Sequence, residues 1–275
     1  MSTRDDDDDG TMPEAAPVPE SPLPQAALPG TASAQTALRV MTWNLHGLAR
    51  QDGVSQRAAT AAAVAVVRAA RPDVLAVQEP PRGFGAGWRW RRFAARTGMR
   101  VAVGGAKARI ALLVAPSATV TGAHLLPMPW REPQVRRNAC LAQVDGVLVA
   151  VVHLGLRVDE RDEQLASVLA AMRAAQPWVG AASGAAVLAG DLNAAPTARA
   201  WQQALAAGLR DAYAPASPTF LDPSALTFPA ADPGHRIDAV LVGAGLSVLA
   251  ATVPDDPLVA VASDHRPVVV DLVAR

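Results

Sequence analysis

Six short polar clusters sit at the ends of apolar, strand-like runs: Trp43-Asn44, Gln78-Glu79, His153, Asp191-Leu192-Asn193, Arg236-Ile237-Asp238 and Ser263-Asp264-His265. Together they offer carboxylates, amides and imidazoles, and no thiolate. A hard divalent cation prefers such oxygen donors, and a histidine beside it can take or give a proton near neutral pH. Residues of these types point to metal-assisted hydrolysis.

Such side chains act together only if the backbone gathers them. Short apolar runs predict strands at Leu38–Trp43, Val74–Val77, Val101–Val103, Ile110–Val114, Val120–Leu126, Ala186–Ala189, Ile237–Val242, Val248–Val253 and Val268–Leu272. Cys140–Val144 and Val147–Leu154 flank Asp145-Gly146, a dipeptide that tolerates the positive φ angles of a tight primed turn, so this pair predicts an antiparallel hairpin. Ser55–Ala70 reads as a helix with Ser55 as N-cap and Pro72 just past its end. Further helices are expected at Trp88–Thr97 and at Ala198–Ala207, the latter capped by Thr197. The best-defined helix has Asp159, Glu160, Asp162 and Glu163 in its first turns and Arg173 near its end. Its Leu165, Val168, Leu169 and Met172 fall on one stripe. Strands of this number with helices between them fit an α/β fold of two sheets packed face to face with helices outside.

Charge and composition bound the rest. The chain has 275 residues, 51% of them hydrophobic, enough to bury the core of one large domain. Residues 1–37 differ: they carry Asp5 to Asp9 and six prolines with few large apolar groups, and read as a disordered acidic tail ahead of a catalytic domain at 38–275. Setting aside that tail, with seven acids and Arg4, leaves 24 basic and 18 acidic residues. From Pro80 to Arg131 there is no acid, while Arg82, Arg89, Arg91, Arg92, Arg96, Arg100, Lys107, Arg109 and Arg131 supply nine cations. Such a stretch is either a face that attracts polyanions such as nucleic acid or phosphoinositide-like headgroups, or a solvated arginine-rich surface, or a face on which the acidic tail folds back and competes with substrate. No run is long and apolar enough to span a membrane. With a single cysteine, Cys140, and no secretory pattern, a reducing cytoplasm and a monomeric protein are the expectation. Trp88, Trp90 and Trp130 could stack on bases but are expected in or partly buried in the core, and His46, His124 and His235 on loops or the surface without named partners.

The strings Val40-Met41-Thr42-Trp43-Asn44, Leu75-Ala76-Val77-Gln78-Glu79, Gly190-Asp191-Leu192-Asn193, Arg236-Ile237-Asp238 and Ser263-Asp264-His265-Arg266-Pro267-Val268 occur in the order found in the endonuclease/exonuclease/phosphatase superfamily, which the chain resembles from about Leu38 to its C-terminus. The resemblance implies a four-layer α/β sandwich with the site at one end of the sheets, and a Mg²⁺- or Mn²⁺-dependent hydrolysis of phosphate esters. It assigns Glu79 as principal metal ligand with Asn44 and Asp264 beside it. It makes Asp238 the carboxylate that orients His265, and His265 the group that activates or orients water. Asp191 is then a proton-transfer or water-positioning residue, Asn193 a donor to the transition state, and His153 a donor to a phosphate oxygen or to the leaving group. Spacing leaves open which of Asp191, His153 and His265 is acid and which is base. Arg236 is expected to position Asp238 or the Thr227-Phe228-Pro229 loop.

Two features depart from the family's branches. Val152-His153-Leu154-Gly155 stands where the DNA-repair branch carries a tyrosine motif, and resembles the deoxyribonuclease I, sphingomyelinase and inositol-phosphatase branches instead. The acid that backs this histidine in the deoxyribonuclease branch has no counterpart between Glu79 and Glu132. The expected activity is a phosphodiesterase of nuclease type. Its alternatives are a phosphatase or headgroup hydrolase acting on lipid or inositol phosphates, and an inactive polyanion-binding module.

Overall fold

Apolar side chains alternate along most strands so that each of two sheets has two buried faces, and the chain covers both. The computed structural model describes residues 37–48, 53–175, 184–213 and 222–275; the tail expected at 1–37 lies outside them except for its last residue. The first sheet contains β1 (Leu38–Asn44), β2 (Val74–Gln78), β3 (Arg100–Gly105), β4 (Ile110–Val114), β11 (Leu246–Thr252) and β12 (Val268–Ala274), in the order β11-β12-β1-β2-β4-β3. The second contains β5 (Val120–Pro127), β6 (Asn138–Val144), β7 (Val147–His153), β8 (Ala186–Asp191), β9 (Arg210–Asp211) and β10 (Asp238–Val242), in the order β5-β6-β7-β8-β10-β9. Both are mixed: β1 with β2, and β7 with β8, are parallel, and the other pairs antiparallel.

Three apolar layers hold the sandwich together. Val40, Ala76, Leu112, Val149, Val187 and Val240 belong to the layer between the sheets. On the far side of the first sheet, Met41, Trp43, Leu75 and Val77 meet α1 (Gln56–Ala70), α2 (Ala86–Thr97) and α5 (Pro257–Ala262). On the far side of the second, Leu141, Val152 and Leu188 meet α3 (Val158–Ala175) and α4 (Arg199–Ala206). The result is helices, sheet, sheet, helices. Each fully buried Val or Leu contributes about 1.5–3 kcal/mol, so the alternation along the strands also fixes their register: a slip of one residue would turn every such side chain to the wrong layer.

Local signals explain most elements. Ser55 caps α1, its side chain accepting from the Ala58 N–H at 3.2 Å. Asp145 and Gly146 take φ of 47° and 81° and close the β6–β7 hairpin. The stripe of Leu165, Val168, Leu169 and Met172 is buried, but α3 also buries Glu160 and Gln164, which apolar periodicity does not reveal. Gln164 accepts from the Gly155 N–H at 2.8 Å and donates to Glu160 at 3.0 Å, so the two clamp the chain just after β7. Thr197 is not the cap of α4: that position is Ala198, without a side-chain hydrogen bond. The short α5 and β9 carry too few residues for a periodic signal.

Candidate active site

Strand register brings three of the expected residues side by side. β7 and β8 pair His153 with Asp191, and β8 and β10 pair Asp191 with Asp238, so an imidazole and two carboxylates sit on adjacent strands of the second sheet. Gly190 permits this spacing: a Cβ there, at φ 154°, would lie 2.0 Å from the Val152 carbonyl oxygen. In the first sheet β1 and β2 pair Asn44 with Gln78, placing Asn44 beside the residue that precedes Glu79.

Hydrogen bonds then join the two sheets. Asn44 donates its amide to Asp191 Oδ2 at 3.0 Å. The His265 ring lies with Nδ1 2.9 Å from Asp238 Oδ2 and Nε2 4.0 Å from Asp191 Oδ2. His153 Nε2 is 3.4 Å from the same Asp191 oxygen and 4.0 Å from Glu79 Oε1. Asp191 Oδ1 accepts from the Asn193 N–H at 2.8 Å, and the Asn193 amide donates to the Leu154 carbonyl at 2.8 Å. Asn193 thus ties together the chain ends leaving β7 and β8, while Leu192 is buried toward the helices.

Asp264 enters from the loop between α5 and β12. Ser263 anchors that loop by donating to the Asn44 carbonyl at 2.6 Å, and the Trp43 indole donates to the His265 carbonyl at 2.8 Å. Asp264 Oδ2 is 3.1 Å from His46 Nδ1, and Gly47, the next residue, donates its N–H to the Glu79 carbonyl at 2.8 Å. Asn44, Glu79 and Asp264 therefore surround one turn. His46, expected without a partner, belongs to the site. Its type and its position two residues after Asn44 were the available signal. His46, Leu48, Glu79 and Asn193 all have φ between 46° and 50°, a left-handed conformation costing about 1–2 kcal/mol for a non-glycine residue. Such strain persists where the surroundings over-determine it, and clusters at functional sites.

Other supports were not all legible. The Thr227 hydroxyl accepts from the N–H groups of Ile237 and Asp238 at 3.2 and 3.3 Å, and the Phe228 ring packs 4.8 Å from the His265 ring. Arg236 reaches neither the loop nor Asp238 through its guanidinium. It pairs with Asp211 at 2.7 Å between the rings of Trp201 and Tyr213, and so fastens β10 to β9 and α4. No acid to back His153 was expected between Glu79 and Glu132, and cations stand near it: Arg137 donates to the His153 carbonyl at 3.3 Å, Arg109 and Arg137 line a recess with His153 and Glu79, and Arg82 pairs with Glu79. Arg137 was missed because no motif contains it.

Burial sets the charge states. Desolvation, reinforced by the charge of Asp238, pushes the Asp191 carboxyl up to about 7. Burial alone would lower His265, but the Asp238 charge and hydrogen bond, with Asp191, outweigh it and hold the imidazole at about 9. Burial drives His153 the other way, well below its usual value, and Arg137, His265, Arg82 and Arg109 add to that shift. His153 is neutral beside a cationic His265. Asp238 Oδ1 is buried without a hydrogen-bond partner among the described residues. Buried acids in excess, one orphaned acceptor and no thiolate form a donor set that fits a hard cation. Asp191, Asp238 and His265 each bring a ligand atom within 4.8 Å of the others, a group that could hold one. Cys140, by contrast, is buried away from this chemistry, its thiol pushed up to about 12.

Solved structures share the fold. An endonuclease/exonuclease/phosphatase from Beutenbergia cavernae is 25% identical, with a TM-score of 0.63 over 86% of this chain and 72% of that one. A mannosyl-6-phosphatase from Bacteroides thetaiotaomicron is 20% identical, TM-score 0.66, over 86% and 99%. TDP2 of D. rerio, complexed with a single-strand DNA product, is 17% identical, TM-score 0.65, over 86% and 99%. No curated protein sequence matches the chain. Residues 41–265, from β1 to His265, match the Endonuclease/Exonuclease/phosphatase family, and the chain belongs to that family of hydrolases, whose enzymes generally use divalent metals.

Proposed function

We propose that the protein is a Mg²⁺-dependent phosphodiesterase of nuclease type, with Mn²⁺ able to substitute, acting as a cytoplasmic monomer. The observation that carries this reading is the buried His265–Asp238 pair facing Asp191 across 4.0 Å. Asp238 fixes the imidazole and stabilises its charge. Asp191 and His265 sit close enough to titrate as one unit, and that unit, more than either residue, would take the proton of an attacking water. Neutral His153 would donate to the phosphate or to the leaving oxygen, with Arg109 and Arg137 drawing the anion to that side.

Asn44, Glu79 and Asp264 are the ligands this reading assigns, as the family resemblance implies and as their placement around one turn supports. Arg82 now balances Glu79. A divalent cation held there would neutralise phosphate charge and steady the leaving group. A diester is favoured over a monoester because two of the three groups assigned to the metal side are open to solvent, with 23% of the Glu79 and 33% of the Asp264 side chain accessible while Asn44 is buried, which leaves room for a second substituent. A mannosyl-6-phosphatase and a TDP2 complexed with a DNA product share the fold, which supports a phosphate ester as the substrate class. The test is hydrolysis of bis-p-nitrophenyl phosphate and p-nitrophenyl phosphate with Mg²⁺, Mn²⁺ or EDTA. Expected is metal-dependent turnover of the diester in clear excess over the monoester; a preference for the monoester would assign a phosphatase, and EDTA-resistant turnover would overturn the metal role.

A further inference from the structure

Outside the site, a concentration of unpaired charge among the described residues lies between α1 and α2. A cleft of about 750 Å³ runs there, with Arg57 on the α1 wall and Arg89, Arg92 and Arg96 on the α2 wall, and no acid lines it. Among the described residues none of the four makes an ion pair. Arg89 donates to the carbonyls of Arg82 and Phe84, yet its Nε is shielded from solvent and has no acceptor. Trp88, expected near the core, is instead 58% exposed on the same wall, with the Arg92 guanidinium 5.4 Å over its ring.

Two lining residues of the cleft lie next to residues of the catalytic centre along the chain. Leu48, in its lining, ends the turn that begins with His46, the partner of Asp264. Pro81, also in its lining, precedes Arg82, the partner of Glu79. Positions 89, 92 and 96 fall on one helix face over about 10 Å, a length that serves successive phosphates of one strand and exceeds a single phosphate group. The N-terminus of α1 adds its partial positive charge to the facing wall, beside Arg57.

We propose that this cleft binds single-stranded nucleic acid continuing out of the catalytic centre, its phosphates on Arg57, Arg89, Arg92 and Arg96 and an unpaired base on the Trp88 indole. Unpaired bases stack on an exposed indole, which a duplex with its bases already stacked does not offer, and a recessed groove between helices does not match the flat face of a bilayer. The proposal rests on the phosphodiesterase reading only for what happens to the strand once it reaches His265.

The experiment measures binding of a labelled twelve-nucleotide single strand to the full chain in EDTA, by fluorescence anisotropy across a salt series. Removing two phosphate contacts in Arg92→Ala/Arg96→Ala should weaken binding about tenfold and reduce the log–log salt slope by about 1.4. Arg57→Glu, on the opposite wall, should weaken binding and flatten the slope in the same direction, and Trp88→Ala should cost about five- to hundredfold in affinity. Unchanged affinity and slope in these variants would overturn the proposal. So would a duplex of equal length bound as tightly as the single strand, or loss of binding to phosphatidylserine vesicles with the oligonucleotide unaffected. Hydrolysis of bis-p-nitrophenyl phosphate by the unmodified protein separates the two readings. If it is absent while the cleft variants lose the strand, the phosphodiesterase reading fails and the cleft stands; if it is present while the variants bind as before, the cleft alone fails.

Discussion

The two sheets bring different halves of the site. The second sheet supplies His153, Asp191 and Asp238 from paired positions on three neighbouring strands, all buried, and the loop before β12 adds a buried His265. At the ends of β1 and β2 the first sheet presents Asn44 and Glu79 beside Asp264, with Glu79 and Asp264 open to water and paired with Arg82 and His46. One half is already bonded in working order. The other holds its charges with groups that a cation could displace. Preorganisation is thus strongest where protons would move and weakest where a metal would enter, a division that keeps the costly buried charges fixed while leaving an entry path open.

The sharpest way to break that comparison is to remove the buried half. His265→Ala should lower kcat on a phosphodiester by about 10²–10⁴-fold, measured with saturating Mg²⁺, without changing the metal concentration needed for half-maximal rate. Glu79→Gln should do the reverse in emphasis: a tenfold or greater rise in the half-saturating Mg²⁺ concentration, on the order seen when metal sites lose a supporting group, with a smaller loss of kcat at saturating metal. If the two variants show the same profile, the halves are not separate.

A third prediction concerns pH and the metal-free protein. His265 is held at about 9, above its ordinary 6.5, so its contribution to stability is complete below pH 6.5 and is lost as pH rises through 9. Asp191, raised to about 7 from 3.8, contributes below pH 3.8 and loses that contribution as pH rises through 7. Between pH 7 and 9 the remaining slope comes from His265. The Tm of the EDTA-treated protein should therefore fall more steeply over that window than the Tm of Asp238→Asn, in which the imidazole has lost its partner. Equal slopes would detach Asp238 from the titration of His265. The smallest expected effect lies away from the site: Ser55→Ala removes the α1 cap and should cost about 1 kcal/mol, read by urea unfolding, with turnover of a small diester unaltered.

Much of this division was legible in the chain because the relevant residues end apolar strands. Asp145-Gly146 announced its hairpin through turn chemistry, and the α3 stripe through periodicity. Asp191 and Asp238 stood out through the family's order of motifs, since a carboxylate at a strand end is ordinary by itself. What stayed hidden depends on contacts between distant segments. Arg137 and Arg109 come from positions 30 or more residues apart from Glu79 and join it only when β4 and β6 stack across the sandwich. His46 gains Asp264 from the far end of the chain. Trp88 read as core material because its neighbours Trp90 and Phe93 are, and only the rotation of α2 on the first sheet decides which indole faces out. Arg236 looked like a companion of Asp238 because they share a motif, but its guanidinium goes to Asp211, a partner that strand pairing brings from another segment.

The most direct test of the division between the halves is the anomalous scattering of Mn²⁺ in crystals of the protein. The account predicts one strong peak at about 2.0–2.3 Å from the Glu79 carboxylate, near Asn44 and Asp264, with the His265–Asp238 hydrogen bond intact beside it. A peak ligated by Asp191, Asp238 and His265 instead, with Glu79 still paired to Arg82, would contradict it.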